Sequence, residues 1–312
     1  MASSAAGERG TSDGIRPPGK PPELESFLNR RLFHPLSRRL AQALRTTPVT
    51  PNMVSVTGAL IVLAAGFAYV GLDWPLAVAA GFALHLVWHV FDGADGDLAR
   101  LTGRASPFGE MVDGVCDYLS HALLYLILAT LLDDQIGLWA YALGLASGLS
   151  RVAQANHAES QRRIYMWRAY GIPWLKQAKA ADDELFRRKG PLVRMFTGAA
   201  RAYIALADAL SPTSARIDRA VEDAGRDPAA RRRLTRLCRC ASRTPLLLQM
   251  LLGANPRTIL LGGSMALGSP LWFFLIETTL LNLLLVVSIR QQRRCNVALG
   301  LRLDRAEPPV RA

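Results

Sequence analysis

Cysteine is scarce. Cys116, Cys238, Cys240 and Cys295 are the only four in 312 residues, which excludes a disulfide-stapled scaffold, and their spacing offers no CxxC pair for zinc. No internal repeat is visible, which argues against repeat architectures and transporters built from duplicated halves. Residues 1–23 lack an apolar core and are rich in Gly, Pro and Ser. They are expected to be a disordered tail, with no cleavable signal peptide. Acid is in deficit, with 25 Asp+Glu against 37 Lys+Arg and a net charge of +12. Apolar residues, at 50%, are abundant, too abundant for a disordered chain. A chain both hydrophobic and basic points to a membrane protein with charged loops, not to a nucleic-acid binder.

Six stretches approach the roughly 20 apolar residues that cross about 30 Å of hydrocarbon as a helix. They are 53–71, 75–91, 111–132, 136–155, and two within 245–289 that part at Gly268-Ser269-Pro270. Asn255-Pro256-Arg257 interrupts the fifth. The expected fold class is all-α integral membrane: six transmembrane helices, an N-terminal amphipathic interfacial helix, and a helical cytosolic insertion between helices 4 and 5. The amphipathic helix is placed at 24–46, where Leu28, Leu32, Leu36 and Leu40 form one stripe among paired arginines. Helices 1–4 occupy 50–158, with the chemistry at 92–117. The insertion, 159–242, has 18 Lys+Arg against 9 Asp+Glu and suits acidic lipid headgroups as partners. Pro173, Pro191, Pro212 and Pro228 punctuate its helices. Helices 5 and 6 fill 243–290, and 291–312 is a C-terminal tail.

Charge orients these spans. Leu72–Trp74, Asp133–Gln135 and Leu267–Pro270 hold no Lys or Arg. The opposite ends hold Arg30, Arg31, Arg38, Arg39 and Arg45, then Arg100 and Arg104, then Arg290, Arg293 and Arg294. By the positive-inside rule both termini and the insertion lie in the cytosol.

Membrane helices avoid carboxylates because a charge is costly in hydrocarbon. The end of span two and the start of span three break that rule with Asp92, Asp95, Asp113 and Asp117. Asp92 and Asp95 are three apart and share a helix face; Asp113 and Asp117, four apart, share another. The turn-prone link 101–107 lets the two helices run antiparallel, so four carboxylates can converge at the cytosolic membrane surface. Such a set needs cations, and hard oxygen ligands suit two Mg²⁺ or Mn²⁺ ions, the usual clamp on a phosphoryl centre. Gly96, Ala99 and Gly109 leave room for a ligand to approach the backbone; close helix packing is the competing explanation.

The pattern Asp92-x2-Asp95-Gly96-x2-Ala99-Arg100-x8-Gly109-x3-Asp113-x3-Asp117 resembles the signature of the CDP-alcohol phosphotransferases (CDP-alcohol phosphatidyltransferases) at all eight fixed positions. The Thr50-Pro51-Asn52 lead-in to span one is also similar to that family. The resemblance implies transfer of a substituted phosphate from a CDP-linked donor lipid to an alcohol hydroxyl, with release of CMP. It implies that the four aspartates ligate two divalent metals and that Asp117 is also the general base. Gly96, Ala99, Arg100 and Gly109 would line the CMP end. CDP-diacylglycerol with a polar alcohol is the favoured pairing, since Asp97-Leu98-Ala99-Arg100-Leu101 is similar to inositol-phosphate-type members. CDP-choline or CDP-ethanolamine with diacylglycerol is the alternative, although that branch has a His where Gly114 stands. Family members often pair as homodimers.

Other residues carry secondary expectations. Arg257, inside the fifth span, is a candidate phosphate contact with Glu277 as its ion-pair partner. Arg151, with Arg162 and Arg163, is a candidate anionic acceptor pocket, and positive-inside flanking explains these residues equally well. His85 and His89 share a face with Asp92 and are expected to support the site through hydrogen bonds or to line a polar cavity. His121 continues the Asp113–Asp117 stripe and is a candidate to orient Asp117. A transporter or a lipid-binding scaffold would explain the spans or the charge, but not the aspartate spacing.

Overall fold

The computed structural model describes residues 22–172, 198, 201–202, 205–211, 214–224 and 227–304. The expected N-terminal tail up to residue 21, Pro173, Pro191 and Pro212 of the insertion, and residues 305–312 lie outside them. Among the described residues all regular structure is helical. A short 3-10 turn, Pro22–Leu24, and a π-turn, Asn29–Phe33, lead into α1, His34–Leu44. Then follow α2 (Pro51–Gly71), α3 (Leu76–Leu101), α4 (Pro107–Ile136) and α5 (Trp139–Tyr170). Beyond the basic loop come α6 (Ala215–Ala224), α7 (Pro228–Leu251), α8 (Ala254–Ala266), α9 (Leu271–Thr278) and α10 (Leu280–Asp304).

Local chemistry sets the boundaries. Thr50 caps α2 by accepting from the Met53 N–H, with Pro51 as the first helical residue, and Ser106 caps α4 by accepting from Gly109 N–H at 3.1 Å. Asp227 does the same for α7, taking the N–H groups of Ala229 and Ala230. Gly171 ends α5 in the left-handed region (φ 70°), with its N–H on Trp167 O and that of Ile172 on Met166 O.

Four segments are long and apolar enough to cross a membrane: Pro51–Gly71, Leu76–Leu101, Phe108–Ile136 and Leu271–Leu303. The chain is an integral membrane protein. The other two expected spans fall on α5 and on α7–α8, which do not meet that measure. The reason is compositional: Ser147, Arg151, Gln154, Asn156 and His157 on α5 are polar yet buried against protein. The expected domain limits at 158/159 and 242/243 also fall inside α5 and α7, which run on without a break. The expected C-terminal tail is helical as far as Asp304.

The main apolar core lies among α2, α3, α4, α8 and α9. Tyr69, Trp88, Leu124, Leu128, Phe273 and Phe274 are fully buried in it. Glycine admits the closest crossings: a Cβ on Gly81 would stand 2.6 Å from the Tyr69 ring, and one on Gly262 2.5 Å from Phe82. A second core sits around the distal part of α5, where Tyr165 and Ala169 meet Ile217 and Val221 of α6, Leu234 and Cys238 of α7, and Leu299 of α10.

Two polar assemblies tie these parts together. In the bundle, Arg257 of α8 and Glu277 of α9 form an ion pair at 3.0 Å, with side chains 3% and 0% exposed. Arg257 also donates to Leu252 O, to Gly253 O at 3.0 Å and to Gln154 Oε1 at 2.5 Å. Gln154 in turn donates to Glu277 O at 3.0 Å and to Asn282 Oδ1 at 2.8 Å. The second assembly anchors the N-terminal arm. Asn255 donates to Ser26 Oγ at 2.7 Å and to Asn29 Oδ1 at 2.8 Å, and Ser37 Oγ donates to Val90 O at 2.8 Å. Glu23 accepts from Tyr165 at 2.7 Å and from Tyr170 at 2.5 Å, beside Arg239 at 3.4 Å.

Breaking the buried pair from one side strands a charge in a low-dielectric core. Glu277→Ala is expected to lower stability by about 3–5 kcal/mol, read as a fall in Tm of the detergent-solubilised protein. A Tm within the wild-type range would dissolve the lock. Glu23 gives a pH dependence. Burial raises its carboxyl, but the hydrogen bonds from Tyr170 and Tyr165 outweigh that and hold it below the ordinary 4.5. A depressed carboxyl stabilises the docked arm above the free-chain value, and that contribution disappears as pH falls through the lower folded value. Hydrogen exchange in residues 22–30 should therefore quicken below about pH 4, and Glu23→Gln should remove that step.

Candidate active site

The motif straddles the turn between α3 and α4. Gly103 (φ 67°) reverses the chain, and Arg104 N–H closes on Ala99 O at 2.9 Å. Asn52, at the start of α2, lies close by: a Cβ on Gly109 would stand 3.6 Å from its Oδ1. The starts of α2 and α4 and the end of α3 therefore meet at one end of the bundle.

The four aspartates are graded from surface inward. Asp92 is exposed, Asp95 is buried at 5% exposure, and Asp113 and Asp117 are half-buried. Ser55 of α2 donates to Asp95 Oδ2 at 2.6 Å, and the Gly96 N–H reaches the other oxygen at 2.5 Å. The Asp95 and Asp113 side chains lie within hydrogen-bonding reach of each other, and Asp113 also interacts electrostatically with Asp92 and Asp117. Two carboxyl groups that close repel unless a proton or a cation lies between them.

Asp117 is held differently. His121 Nδ1 lies 2.9 Å from Asp117 Oδ1 and 2.9 Å from Asp117 O, and Arg151 Nη2 is 3.7 Å from Oδ1. Both oxygens face the same ring nitrogen, and the buried Oδ1 has no well-aligned hydrogen bond of its own. Behind it, His85 Nε2 faces His121 Nε2 at 3.4 Å, and His89 Nε2 pairs with Thr258 Oγ1 at 2.9 Å. His85 and His89 thus contact His121 and Thr258 from behind the aspartates. Among the described residues no three His, Cys, Asp or Glu side chains are gathered as a ready-made metal cage. The chemistry of the donors nevertheless fits a hard divalent cation: oxygen only, two carboxyls in contact, and one orphaned buried carboxyl oxygen.

The remaining candidates separate into two groups. Arg100 pairs with Asp97 at 2.6 Å and covers Gly96, whose added Cβ would meet the guanidinium at 3.4 Å. Ala99 is half-buried beside it. A Cβ on Gly114 would meet nothing within 4 Å, so open space lies on that side of α4. Arg151 is buried against Asp117, whereas Arg257 belongs to the Glu277 lock described above. Arg162 and Arg163 both grip Glu159, and Arg163 reaches Glu110 at 3.5 Å. Sequence reasoning missed Ser55 and the pairing role of Asp97. Both left a signal: a serine inside an apolar span, and an Asp three residues before an Arg.

An all-helical membrane bundle with a graded acidic cluster at the junction of two helices defines the class. Within it, residues 48–176 match the family model described as CDP-alcohol phosphatidyltransferase. It is similar to a bifunctional IPC transferase and DIPP synthase of Thermococcus kodakarensis, at 30% identity over 163 residues, 51% of this chain and 35% of the relative. It is also similar to an archaetidylinositol phosphate synthase of Pyrococcus horikoshii, at 34% identity over 97 residues, 31% of this chain and 49% of the relative. The matched part thus spans about a third to a half of these curated relatives.

Removing the Ser55 hydroxyl leaves a buried carboxyl oxygen of Asp95 without a donor. Ser55→Ala should cost about 1–3 kcal/mol in thermal unfolding, and Ser55→Thr should restore most of it. Equal Tm values for Ser55→Ala and wild type would show that the bond does not hold Asp95.

Proposed function

We propose that the chain transfers a substituted phosphate from CDP-diacylglycerol to the hydroxyl of an inositol-type polar alcohol, releasing CMP. The observation that carries this reading is the Asp95–Asp113 contact beside the orphaned Asp117 oxygen, an arrangement that calls for positive charge where a diphosphate would sit. The relative named for archaetidylinositol phosphate supports the acceptor class. Gly114, standing where the CDP-choline branch has a His, supports the donor branch.

Asp92, Asp95, Asp113 and Asp117 would hold two Mg²⁺ or Mn²⁺ ions, which when bound supply charge neutralisation for the diphosphate and its leaving group. The protein's own groups do the rest. Ser55 and the Gly96 N–H fix Asp95 in one orientation. Gly96, Ala99 and Gly109 line the CMP end, and Arg100 moves its charge from Asp97 to the donor phosphate, which uncovers Gly96. Asp117 accepts the proton of the attacking hydroxyl, while His121 limits its rotation. Arg151 offers the anionic alcohol a buried guanidinium next to that base. Arg257, with its donors engaged, keeps α5, α8 and α9 in register. The displacement is direct, without a covalent enzyme intermediate, because the acceptor hydroxyl and the phosphorus are brought together in one site.

The same reading has six crossings, with α5 and α7–α8 completing the bundle, since their polar residues face protein rather than lipid. It places the motif end at the cytosolic face, where the arginines concentrate.

The test is labelled CMP release by the purified full-length chain with CDP-diacylglycerol and inositol phosphate, against CDP-choline and diacylglycerol. Release should need Mg²⁺ or Mn²⁺ and stop with chelator. Asp117→Asn should keep donor binding and lose turnover by about 10²–10⁴-fold. Wild-type turnover in that variant removes Asp117 as the base, and a phosphatidylated enzyme trapped without acceptor removes the direct displacement.

A further inference from the structure

The arm of residues 27–45 turns two faces to different surroundings. Its inward face is buried on α3: Phe33, Ser37 and Ala41 are all within 4% exposure. The Phe33 ring stacks on His89 at 4.6 Å, and Ser37 donates to Val90 O at 2.8 Å. A Cβ on Gly93 would stand 2.6 Å from Ser37 Oγ. The arm therefore touches α3 at the residue next to Asp92, where a larger residue would displace the Ser37 hydroxyl.

The outward face is exposed, with the Arg31 guanidinium over the Phe27 ring at 5.9 Å as its contact within the arm. Phe27 is 67% exposed, Leu32 42% and Leu36 38%. Leu32 and Leu36 are four apart, so they share one flank, while Leu40 turns inward against the cluster around Ala41 and Leu98. Arg30, Arg31, Arg38, Arg39 and Arg45 are all exposed on the same segment. The chain passes from this segment directly to Pro51, the first residue of a membrane-spanning helix. The exposed flank thus stands where the bundle meets the membrane surface. Apolar side chains bordered by guanidinium groups match an anionic lipid leaflet in both respects: acyl chains take the leucines and headgroup phosphates take the arginines.

We propose that residues 27–45 are a strap that docks on anionic phospholipid and, through Phe33, Ser37 and Gly93, holds the Asp92–Asp95 turn in working position. Anionic lipid then acts as an activator distinct from donor and acceptor. The coupling rests on the transferase reading above; the docking does not. Without the lipid contact the strap keeps only its inward bonds, and the turn of α3 beside it is held less firmly. Salt weakens the effect, because surface charges are screened.

The experiment uses the full-length protein in vesicles of phosphatidylcholine alone or with one third phosphatidylglycerol. Hydrogen exchange of residues 27–45 and CMP release are measured in parallel. Exchange should be several-fold slower and release several-fold faster in the anionic vesicles, and high salt should reverse both. The triple variant Arg38→Gln, Arg39→Gln, Arg45→Gln should lose both responses while releasing CMP in neutral detergent as wild type does. Ser37→Val should keep the slowed exchange and lose the stimulation, which separates docking from coupling. Equal exchange in the two vesicles overturns the docking, and slowed exchange with unchanged release overturns the coupling. No CMP release under any condition overturns the transferase reading and the coupling with it, while exchange still decides the docking.

Discussion

A carboxylate inside a membrane bundle persists only where a positive or hydrogen-donating group faces it, because the surrounding hydrocarbon offers neither. That constraint organises this protein. Glu277 is fully buried and is matched by Arg257 and, through its carbonyl, by Gln154. Asp117 is matched by His121 and Arg151, and Asp95 by Ser55 and a backbone N–H. In the Glu277 set Arg257 faces one carboxyl oxygen, while Oε2 has no hydrogen-bond donor. The aspartate set shares that feature at Asp117 Oδ1 and differs in bringing two carboxyls together at Asp95 and Asp113.

The helices that carry these groups approach closely because their crossings are lined with small residues. Gly81 against Tyr69 and Gly262 against Phe82 bring α2, α3 and α8 into contact. Gly93 does the same for the N-terminal arm. The arm is bonded to α3 by Ser37, to α8 by Asn255, and to the distal end of α5 by Glu23. It joins the acidic end of the bundle to the second helical core.

Sequence patterning made the first three spans legible because α2, α3 and α4 expose much of their surface, and lipid demands apolar residues there. The same patterning is weaker on α5, which falls short of the apolar measure that the other spans meet. Its polar residues face other helices, and a one-dimensional hydropathy pattern cannot tell burial against protein from exposure to water. The break in the fifth expected span came at Leu252–Gly253, just ahead of Asn255-Pro256-Arg257, because the carbonyls freed there are taken up by the Arg257 guanidinium. The Arg257–Glu277 pair was foreseeable, since an intramembrane charge needs a partner and Glu277 was the acid at hand. The partnership of Ser55 with Asp95 was not foreseen, because it joins residues 40 positions apart.

The sequence alone determined the membrane setting, the helix starts at Thr50-Pro51 and Ser106-Pro107, and the acidic motif, because each depends on residues that are neighbours in the chain or one helical turn apart. Only the tertiary structure decided which donors face which carboxylates and which side of the arm is left bare. Those relations join distant segments whose meeting depends on how the helices pack, and packing is a property of the whole bundle rather than of any stretch within it.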